Sequence, residues 1–277
     1  MIYYKTNEEI ELIRKSCLLV CEALTHVAKN IKPGMTGEQL DREAEELIRD
    51  NGAIPGFKGY GTNPFPNTLC ISVNEGVVHG IPSKRPFESG DIVSVDCGTY
   101  INDFYGDAAY SFAIGEVPDD VMELLHVTKT SLYKGIEQVK IGNRIGDIGY
   151  AIQNYCESAN SYGVVRELVG HGLGRNLHEA PEVPNFGRRG KGIKMKEGLV
   201  IAIEPMINLG KKEVRQSDDG WTIISKDRKP SAHFEHTVAV KKEGVDILSS
   251  HVNIEAAIIE NPYVQEVHLR GEAAVER

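Results

Sequence analysis

The sequence predicts an α+β fold with internal pseudo-two-fold symmetry. Two amphipathic helices precede a pair of antiparallel strands in the first half of the chain, and the second half repeats that order. A chain of 277 residues with 41% hydrophobic composition can bury one large core or two modest ones. We therefore expect a single domain over residues 1–255, in halves of about 1–115 and 116–255, followed by a C-terminal tail over 256–277.

Both helices of the first half have clear start signals. Thr6 with Glu9, and Thr36 with Gln39, each have the spacing of a capping box. In this motif the side chain of each residue accepts a hydrogen bond from the backbone N–H of the other. Apolar residues then recur at helical spacing up to a Pro-Gly pair after the first helix and an Asn-Gly pair after the second.

The segment DIVSVDCGTYINDFYGDAAYSFAIG (91–115) predicts a β-hairpin, because it is rich in β-branched and aromatic residues and contains a turn-like Asn102-Asp103 pair. If Ile101 and Asn102 form a two-residue loop, Asp96 lies opposite Asp107. Opposed like charges destabilise a sheet, and the apolar neighbours leave little room for solvent, which favours a bound metal ion. The alternative is that the turn lies one residue elsewhere and that one aspartate points to water.

The second half repeats this organisation. Helices are expected over 119–140 and from about 145 to 162, with strands from Leu199 onward. A constant shift aligns IKPG (31–34) with VKIG (139–142) and the strand residues before Asp96 with those before Glu204. A pseudo-two-fold fold would bring one acidic residue from each half to a shared interface, where ligand sites often lie.

Composition excludes several functional classes. The five cysteines are scattered without a C-x-x-C pair, which suits reduced thiols and a cytoplasmic protein. No secretory apolar segment or membrane-length apolar run occurs. The net charge of -9 argues against a stable nucleic-acid complex. One basic run, GRRGKGIKMK (187–196), could touch RNA phosphates; the alternative is a solvated loop.

Two glutamates in the second half are candidates for metal ligation. Glu204 ends the apolar run LVIAIEP and Glu235 lies in AHFEHTVAV, where an unpaired carboxylate would be costly to bury. Either one alone could be a buried, hydrogen-bonded glutamate. Together with Asp96, Asp107 and one histidine they form a set that suits two divalent ions bridged by carboxylates.

The stretch VGHGLGRNLHEAP (169–181) contains two histidines and three alternating glycines. It is not an H-E-x-x-H zinc helix, because position 182 is not histidine, and it lacks the spacing of a phosphate-binding loop. A strand and loop remain, in which glycines let the backbone approach another element while His171 and His178 stand at the two ends. One histidine can then bind metal while the other binds substrate.

Five ordered segments give the chain a specific resemblance to bacterial type I methionine aminopeptidases over roughly residues 3–250. The segments are VNEGVVHGIP, DIVSVDCGTYINDFYGDAA, VGHGLGRNLHEAP, AIEPM and FEHTVAV. The resemblance implies the pita-bread fold, which agrees with the internal repeat. It also implies removal of the initiator methionine from nascent proteins when the next residue is small.

The resemblance further implies roles for individual residues. The ligands of two divalent metal ions, which could be iron, manganese, cobalt or zinc, would be Asp96, Asp107, His171, Glu204 and Glu235. Asp107 and Glu235 match the two bridging ligands. Glu204 would relay a proton, His178 would hydrogen-bond the substrate carbonyl oxygen, and His79 would contact the scissile amide nitrogen.

The methionine pocket is expected from the same resemblance. Its candidate residues are Phe65, Cys70, His79, Leu177 and Trp221. The segment over 57–70 is about two residues longer than the commonest family pattern, and Leu177 replaces a frequent aromatic residue. The resemblance therefore does not predict the shape of the pocket. Trp221 could instead serve packing alone.

Two other functions remain as alternatives. A prolidase or proline-specific aminopeptidase shares the metal ligands but usually carries an additional N-terminal domain, and a non-catalytic binding protein keeps the scaffold and loses the ligands. For the expected enzyme the partners would be N-termini of nascent polypeptides, with transient ribosome contact through the basic run, and the protein would be a monomer without membrane association.

Overall fold

Two helices cover the first sheet. In the computed structural model, which describes residues 1–270, they are α1 (Asn7–Asn30) and α2 (Gly37–Asp50). Both predicted capping boxes are present: Thr6 Oγ1 accepts from the Glu9 N–H at 3.2 Å, and Thr36 Oγ1 accepts from the Gln39 N–H at 3.3 Å. The buried face of α1 packs on the long hairpin of the sheet. The two predicted helices are confirmed.

That sheet is antiparallel and centres on one long strand, β4. Its strands in the first half are β1 (Ile54–Pro55), β2 (Leu69–Val73), β4 (Ile92–Ile101) and β5 (Phe104–Ile114). The short strand β3 (Gly76–Val78) lies beside this sheet and pairs elsewhere. β1 and β2 pair with successive parts of β4 along one edge, and β5 pairs along the other. Residues on both faces of β5 are largely buried, and α1 packs on this strand.

The predicted hairpin is β4 and β5, and its turn is the Asn102-Asp103 pair, one residue later than the loop on which the expected register was based. Asn102 and Asp103 have φ values of 54° and 65°, which is the combination required by a two-residue type I′ turn. The loop predicted at Ile101 and Asn102 is wrong because asparagine and aspartate tolerate this left-handed conformation, whereas a β-branched isoleucine does not.

The corrected register changes the partners of the two aspartates and keeps the face that they share. Asp96 lies opposite Ala109, and Asp107 lies opposite Gly98, so the direct pairing of the aspartates is wrong. Moving a turn by one residue shifts each cross-strand partner by two positions, and side chains alternate between faces with a period of two. Asp96 and Asp107 are therefore diagonal neighbours on one face, and the slip does not turn either one to the opposite side.

The second half repeats the helix pair and then builds its own sheet. α3 (Asp119–Ile136) and α4 (Ile145–Gln153) lie where helices were predicted, and a π-helical turn (Asn154–Ala159) extends α4. The main sheet has the order β15-β14-β9-β7-β8 and is antiparallel. Its strands are β7 (Gly170–Gly172), β8 (Glu179–Val183), β9 (Val200–Ile203), β14 (His236–Lys241) and β15 (Gly244–Ile247).

Two small three-stranded sheets complete the fold, and one of them joins the halves. One has the order β13-β10-β6 and the other β11-β12-β3, so the second sheet joins a strand of the first half to a hairpin of the second. The remaining strands are β6 (Gly163–Val164), β10 (Met206–Asn208), β11 (Val214–Gln216), β12 (Ile223–Ser225) and β13 (Ser231–His233).

The region predicted as a tail is folded as far as the structure describes it. The predicted boundary at residue 255 falls inside α5 (Val252–Glu260), which packs on α1, and β16 (Val264–Gln265) pairs with β5. The Asn261 amide donates to the carbonyl oxygens of Ala28 at 2.8 Å and Ile31 at 2.9 Å, where α1 ends. Residues 256–270 are therefore packed on the domain rather than forming a separate tail, while 271–277 lie outside the described residues.

One apolar cluster joins the halves, because it includes buried residues of α1, α3 and β14. A second cluster lies beneath the glycine-rich stretch and includes Phe65, Cys70 and Leu177. Within residues 1–270, no helix has the length and apolar character needed to cross a membrane.

Candidate active site

The face shared by the two aspartates begins a buried acidic cluster. Asp96 on β4 and Asp107 on β5 each have an Oδ1 atom that is buried and has no hydrogen-bond partner within residues 1–270. Burial raises the pKa of Asp96 to about 7. Burial also raises the pKa of Asp107 well above its ordinary value, and the charges of Glu235 and Asp96 add to this effect.

The second sheet contributes two more carboxylates at the ends of paired strands. Glu204 directly follows β9 and Glu235 directly precedes β14, and the register pairs Ile203 with His236. The two glutamates therefore leave the sheet side by side. Burial, followed by neighbouring carboxylate charges, raises the pKa of both well above the ordinary value.

His171 adds an imidazole from the middle of β7. Its Nδ1 lies 3.0 Å from the carbonyl oxygen of Gly172, so Nδ1–H donates there and the Nε2 lone pair is left for a ligand. That Nε2 lies 3.7 Å from Asp107 Oδ2 and 3.5 Å from Glu204 Oε1. Burial lowers the pKa of His171 to about 3, which keeps the ring neutral, as metal ligation requires.

The glycines beside His171 permit the close packing that the sequence predicted. A Cβ at Gly170 would clash with the carbonyl oxygen of Ala202, and a Cβ at Gly172 would nearly touch that of Ala180. The backbone of β7 therefore packs directly against β8 and β9, between which it lies, and this packing fixes the position of His171 in the cluster.

These side chains fit divalent metal ions. Ligand atoms from Asp107, His171 and Glu235 lie within 4.8 Å of one another. No ion pair with lysine or arginine is found for any of the four carboxylates in the described part of the chain. Buried carboxylates without a cation are costly, and oxygen and imidazole donors in this number suit divalent ions.

Two further histidines border the cluster. His178 follows the loop after β7, and its ring centroid lies 4.3 Å from that of His171. His79 follows β3 with a φ of 57°, and Gly80 beside it packs so closely on Ile71 that any Cβ would clash. Burial lowers the pKa of His178, and burial with the nearby charge of His178 lowers the pKa of His79 to about 4. Both rings are therefore neutral near pH 7.

The predicted pocket residues come together beside these histidines. Phe65, Cys70 and Leu177 are buried in the second apolar cluster, against which Trp221 packs. Trp221 meets Phe65 edge to face at 5.2 Å between ring centroids, and it meets His79 at 6.3 Å. Cys70 lies directly opposite Asp96 in the sheet, so the pocket adjoins the acidic cluster.

Two site residues escaped the sequence reasoning. Tyr60 places its hydroxyl 2.7 Å from His178 Nδ1. His233 is buried, and its Nε2 atom lies 3.9 Å from Glu204 Oε2 and has no hydrogen-bond partner within residues 1–270. The position of His233, two residues before Glu235, was a usable signal because alternate residues of an extended segment share a face. Tyr60 gave no such signal, because it lies in a loop.

The carboxylate and imidazole cluster lies where the two pseudo-symmetric halves meet. A site of this kind is typical of a metal-dependent hydrolase. The family model for metallopeptidase family M24 matches residues 11–242, and the chain belongs to that family.

Relatives of known sequence and structure agree. The chain is 49% identical over 250 residues to methionine aminopeptidase from Clostridium acetobutylicum, covering 90% of this chain and 99% of the relative. The crystal structure of methionine aminopeptidase from Rickettsia prowazekii matches with a TM-score of 0.88 at 39% identity, covering 90% of this chain and 100% of the other. These matches confirm the pita-bread fold expected from the sequence.

A more distant likeness shows the fold alone. Prolidase from Pyrococcus furiosus matches with a TM-score of 0.72 at 23% identity, and the match covers 89% of this chain and 65% of the prolidase.

Proposed function

We propose that this metallopeptidase is a methionine aminopeptidase that removes the initiator methionine from nascent proteins when the next residue is small. One observation carries the proposal: a buried carboxylate and imidazole cluster adjoins two neutral histidines and the packed aromatic rings of Phe65 and Trp221. The names of the similar proteins support the choice of methionine. Two divalent ions would be held by Asp96, Asp107, His171, Glu204 and Glu235.

The metal ions, when bound, would supply a water whose pKa is lowered toward neutrality. Asp107 and Glu235 are both buried, and their ligand atoms lie within 4.8 Å of each other and of one in His171, so both would serve as ligands to the ions. Glu204 would hold a proton during the reaction, and in the metal-free protein burial raises the pKa of this carboxyl above its ordinary value.

The two border histidines would act on the peptide bond itself. A neutral His178 can donate a hydrogen bond to the substrate carbonyl oxygen as negative charge develops there. A neutral His79 would contact the scissile amide nitrogen and help it leave. A neutral ring can fill both roles through its single N–H, and burial lowers the pKa of each histidine toward that form.

The aromatic pocket would take the methionine side chain. A thioether packs favourably against ring edges and faces, which Phe65 and Trp221 offer at right angles. Cys70 and Leu177 would close the pocket on its buried side. Leu177 leaves more room than a ring would, so the long, flexible methionine side chain can reach deeper.

Peptide assays test the proposed activity. The metal-loaded protein should cleave Met-Ala-Ser and leave Ala-Pro peptides intact, whereas cleavage of only Ala-Pro peptides would establish the prolidase alternative. Metal analysis after dialysis should find about two divalent ions per chain. A protein that binds no metal and stays inactive after metal is resupplied would be a binding protein. Activity restored separately with iron, manganese, cobalt and zinc would rank the candidate metals.

Ribosome contact is a further part of the proposal. Arg188, Arg189, Lys191 and Lys194 are exposed on a loop whose backbone is bonded to the start of α4, with the Gly146 N–H donating to the Lys191 carbonyl oxygen at 2.9 Å. Fixed positive charges of this kind can contact RNA phosphates transiently. Reversing these charges should reduce co-sedimentation with ribosomes, and unchanged co-sedimentation would contradict the contact.

We also propose a monomer that works in the cytoplasm on emerging N-termini. All five cysteines are buried free thiols, which supports a reducing compartment. Analytical ultracentrifugation should give a single species near the chain mass of 30.6 kDa.

A further inference from the structure

The hydroxyl of Tyr60 makes a short hydrogen bond with His178. The distance from Tyr60 Oη to His178 Nδ1 is 2.7 Å, and the two rings lie 5.2 Å apart between centroids, inclined by 56°. Within residues 1–270, no other side chain is hydrogen-bonded to the His178 ring. This contact joins residues 118 positions apart in the chain, so it depends on the folded structure.

The direction of this hydrogen bond decides which nitrogen of His178 carries its proton. A neutral imidazole has one N–H and one lone pair. The phenol is the more acidic partner, and an imidazole lone pair is a better acceptor than a phenol oxygen, so Tyr60 donates to Nδ1. The proton of His178 must then lie on Nε2, the nitrogen that Tyr60 does not occupy.

Tyr60 is held for this task by its own loop. The Tyr60 N–H donates to the Phe57 carbonyl oxygen at 2.9 Å, and the Phe65 N–H donates to the Tyr60 carbonyl oxygen at 3.0 Å. The Gly59 N–H donates to the Phe65 carbonyl oxygen at 2.8 Å, which closes the loop. The same loop carries Phe65 against Trp221, so it links the pocket wall to His178.

The residue after His178 is fixed independently. Glu179 forms a buried ion pair with Lys5 at 2.6 Å, and its other oxygen accepts from the Asn176 N–H at 3.2 Å. The backbone of His178 is thus anchored on one side while Tyr60 sets the rotation of the ring on the other.

We propose that Tyr60 is a positioning residue whose hydroxyl fixes the tautomer of His178, with the proton on Nε2 ready for the substrate carbonyl oxygen. This inference rests on the proposed function, because it assigns the purpose of a hydrogen-bond donor in that reaction. The loop that selects the methionine side chain thereby also prepares the group that stabilises the developing charge.

Kinetics of two matched variants test the proposal. Tyr60→Phe keeps the ring and removes only the hydroxyl, so kcat for Met-Ala-Ser should fall about 10- to 100-fold, as for other partners that orient a functional histidine. KM, metal content and melting temperature should stay unchanged. Tyr105→Phe is the control, because the Tyr105 hydroxyl makes no hydrogen bond within residues 1–270. An unchanged kcat in Tyr60→Phe would overturn the proposal.

Nitrogen-15 NMR of the histidine side chains in metal-free or zinc-loaded protein reads the tautomer directly. The His178 signals are those that vanish in His178→Gln. The wild type should show His178 protonated on Nε2, and Tyr60→Phe should show a mixture of tautomers; a wild-type proton on Nδ1 would overturn the proposal. If the protein cleaves no methionyl peptide, the proposed function fails, whereas this spectrum still decides the role of Tyr60.

Discussion

The acidic cluster and the aromatic pocket adjoin each other and are built from different parts of the fold. Asp96, Asp107 and His171 lie within paired strands, and the two glutamates lie at strand ends. The pocket residues Phe65, His79, Leu177 and Trp221 instead come from the loops between strands, and Cys70 alone of the pocket residues lies on a strand, β2. Strands hold ligands to the tolerance that metal coordination needs, whereas loops can vary in shape with the substrate. The two regions should therefore fail in different ways when altered.

The largest expected effect is loss of a carboxylate shared by the cluster. Asp107→Asn should reduce kcat/KM by at least about 100-fold and weaken metal binding, because an amide of the same size cannot supply the same charge. Calorimetric titration with Mn²⁺ and a peptide assay measure the two effects. Asp103→Asn in the turn of the same hairpin is the control and should behave as wild type. Full metal affinity in Asp107→Asn would break the division between cluster and pocket.

A border histidine should separate chemistry from metal binding. His79→Ala should lower kcat by about 100- to 10,000-fold, the usual contribution of a positioned acid–base group. Metal affinity should stay within about twofold of wild type, because His79 is not among the five residues proposed to hold the ions. Loss of metal on this substitution would place His79 in the cluster instead.

The response to pH should sharpen the contrast further. Because burial raises the pKa of Asp96 to about 7, protons compete with metal, and affinity should fall about tenfold per pH unit below that value. In metal-free protein the folding stability changes with pH in the opposite direction to metal affinity. The stability that the raised pKa of Asp96 provides is fully present below the pKa of Asp96 in the unfolded chain, and it is lost as pH rises through 7.

Melting temperatures with Mn²⁺ and with chelator, measured from pH 6 to 8, check both directions. Across that range the buried histidines, whose pKa values are lowered, stay neutral in the folded protein. The gain on adding metal should grow with pH. A gain that is constant across the range would show that the carboxylates are already ionised without metal.

The smallest expected effect is in the pocket. Trp221→Ala should reduce kcat/KM for Met-Ala-Ser about 10- to 200-fold, mainly through KM, because one wall of an apolar pocket is lost. Metal content should not change. Trp221→Phe keeps an aromatic edge toward Phe65 and should recover most of the activity. A reduced kcat with normal KM would mean that the pocket also positions the reacting groups.

The sequence was sufficient to predict the shared face of the acidic residues, even though the turn was misplaced. The period of two along a strand made that prediction robust, since Asp96 and Asp107 stay on one face when the turn moves by a residue. The capping boxes likewise located α1 and α2, because their signals are local.

Other features required the folded chain. Tyr60 reaches His178 across 118 positions, and no local pattern encodes such a contact. The folding of residues 256–270 was also missed, because α5 and β16 are short and obtain their stability from packing on α1 and pairing with β5.

The amide of Asn261 that holds the carbonyl oxygens at the end of α1 has a consequence for biosynthesis. Ribosomes release a chain from its N-terminus, so α1 emerges early, yet the group that satisfies its final carbonyls is made some 230 residues later. The two carbonyl oxygens at the end of α1 therefore lack the Asn261 amide while both halves are translated. The hydrogen-bonded cap at the end of the first helix is thus a contact that forms late in folding.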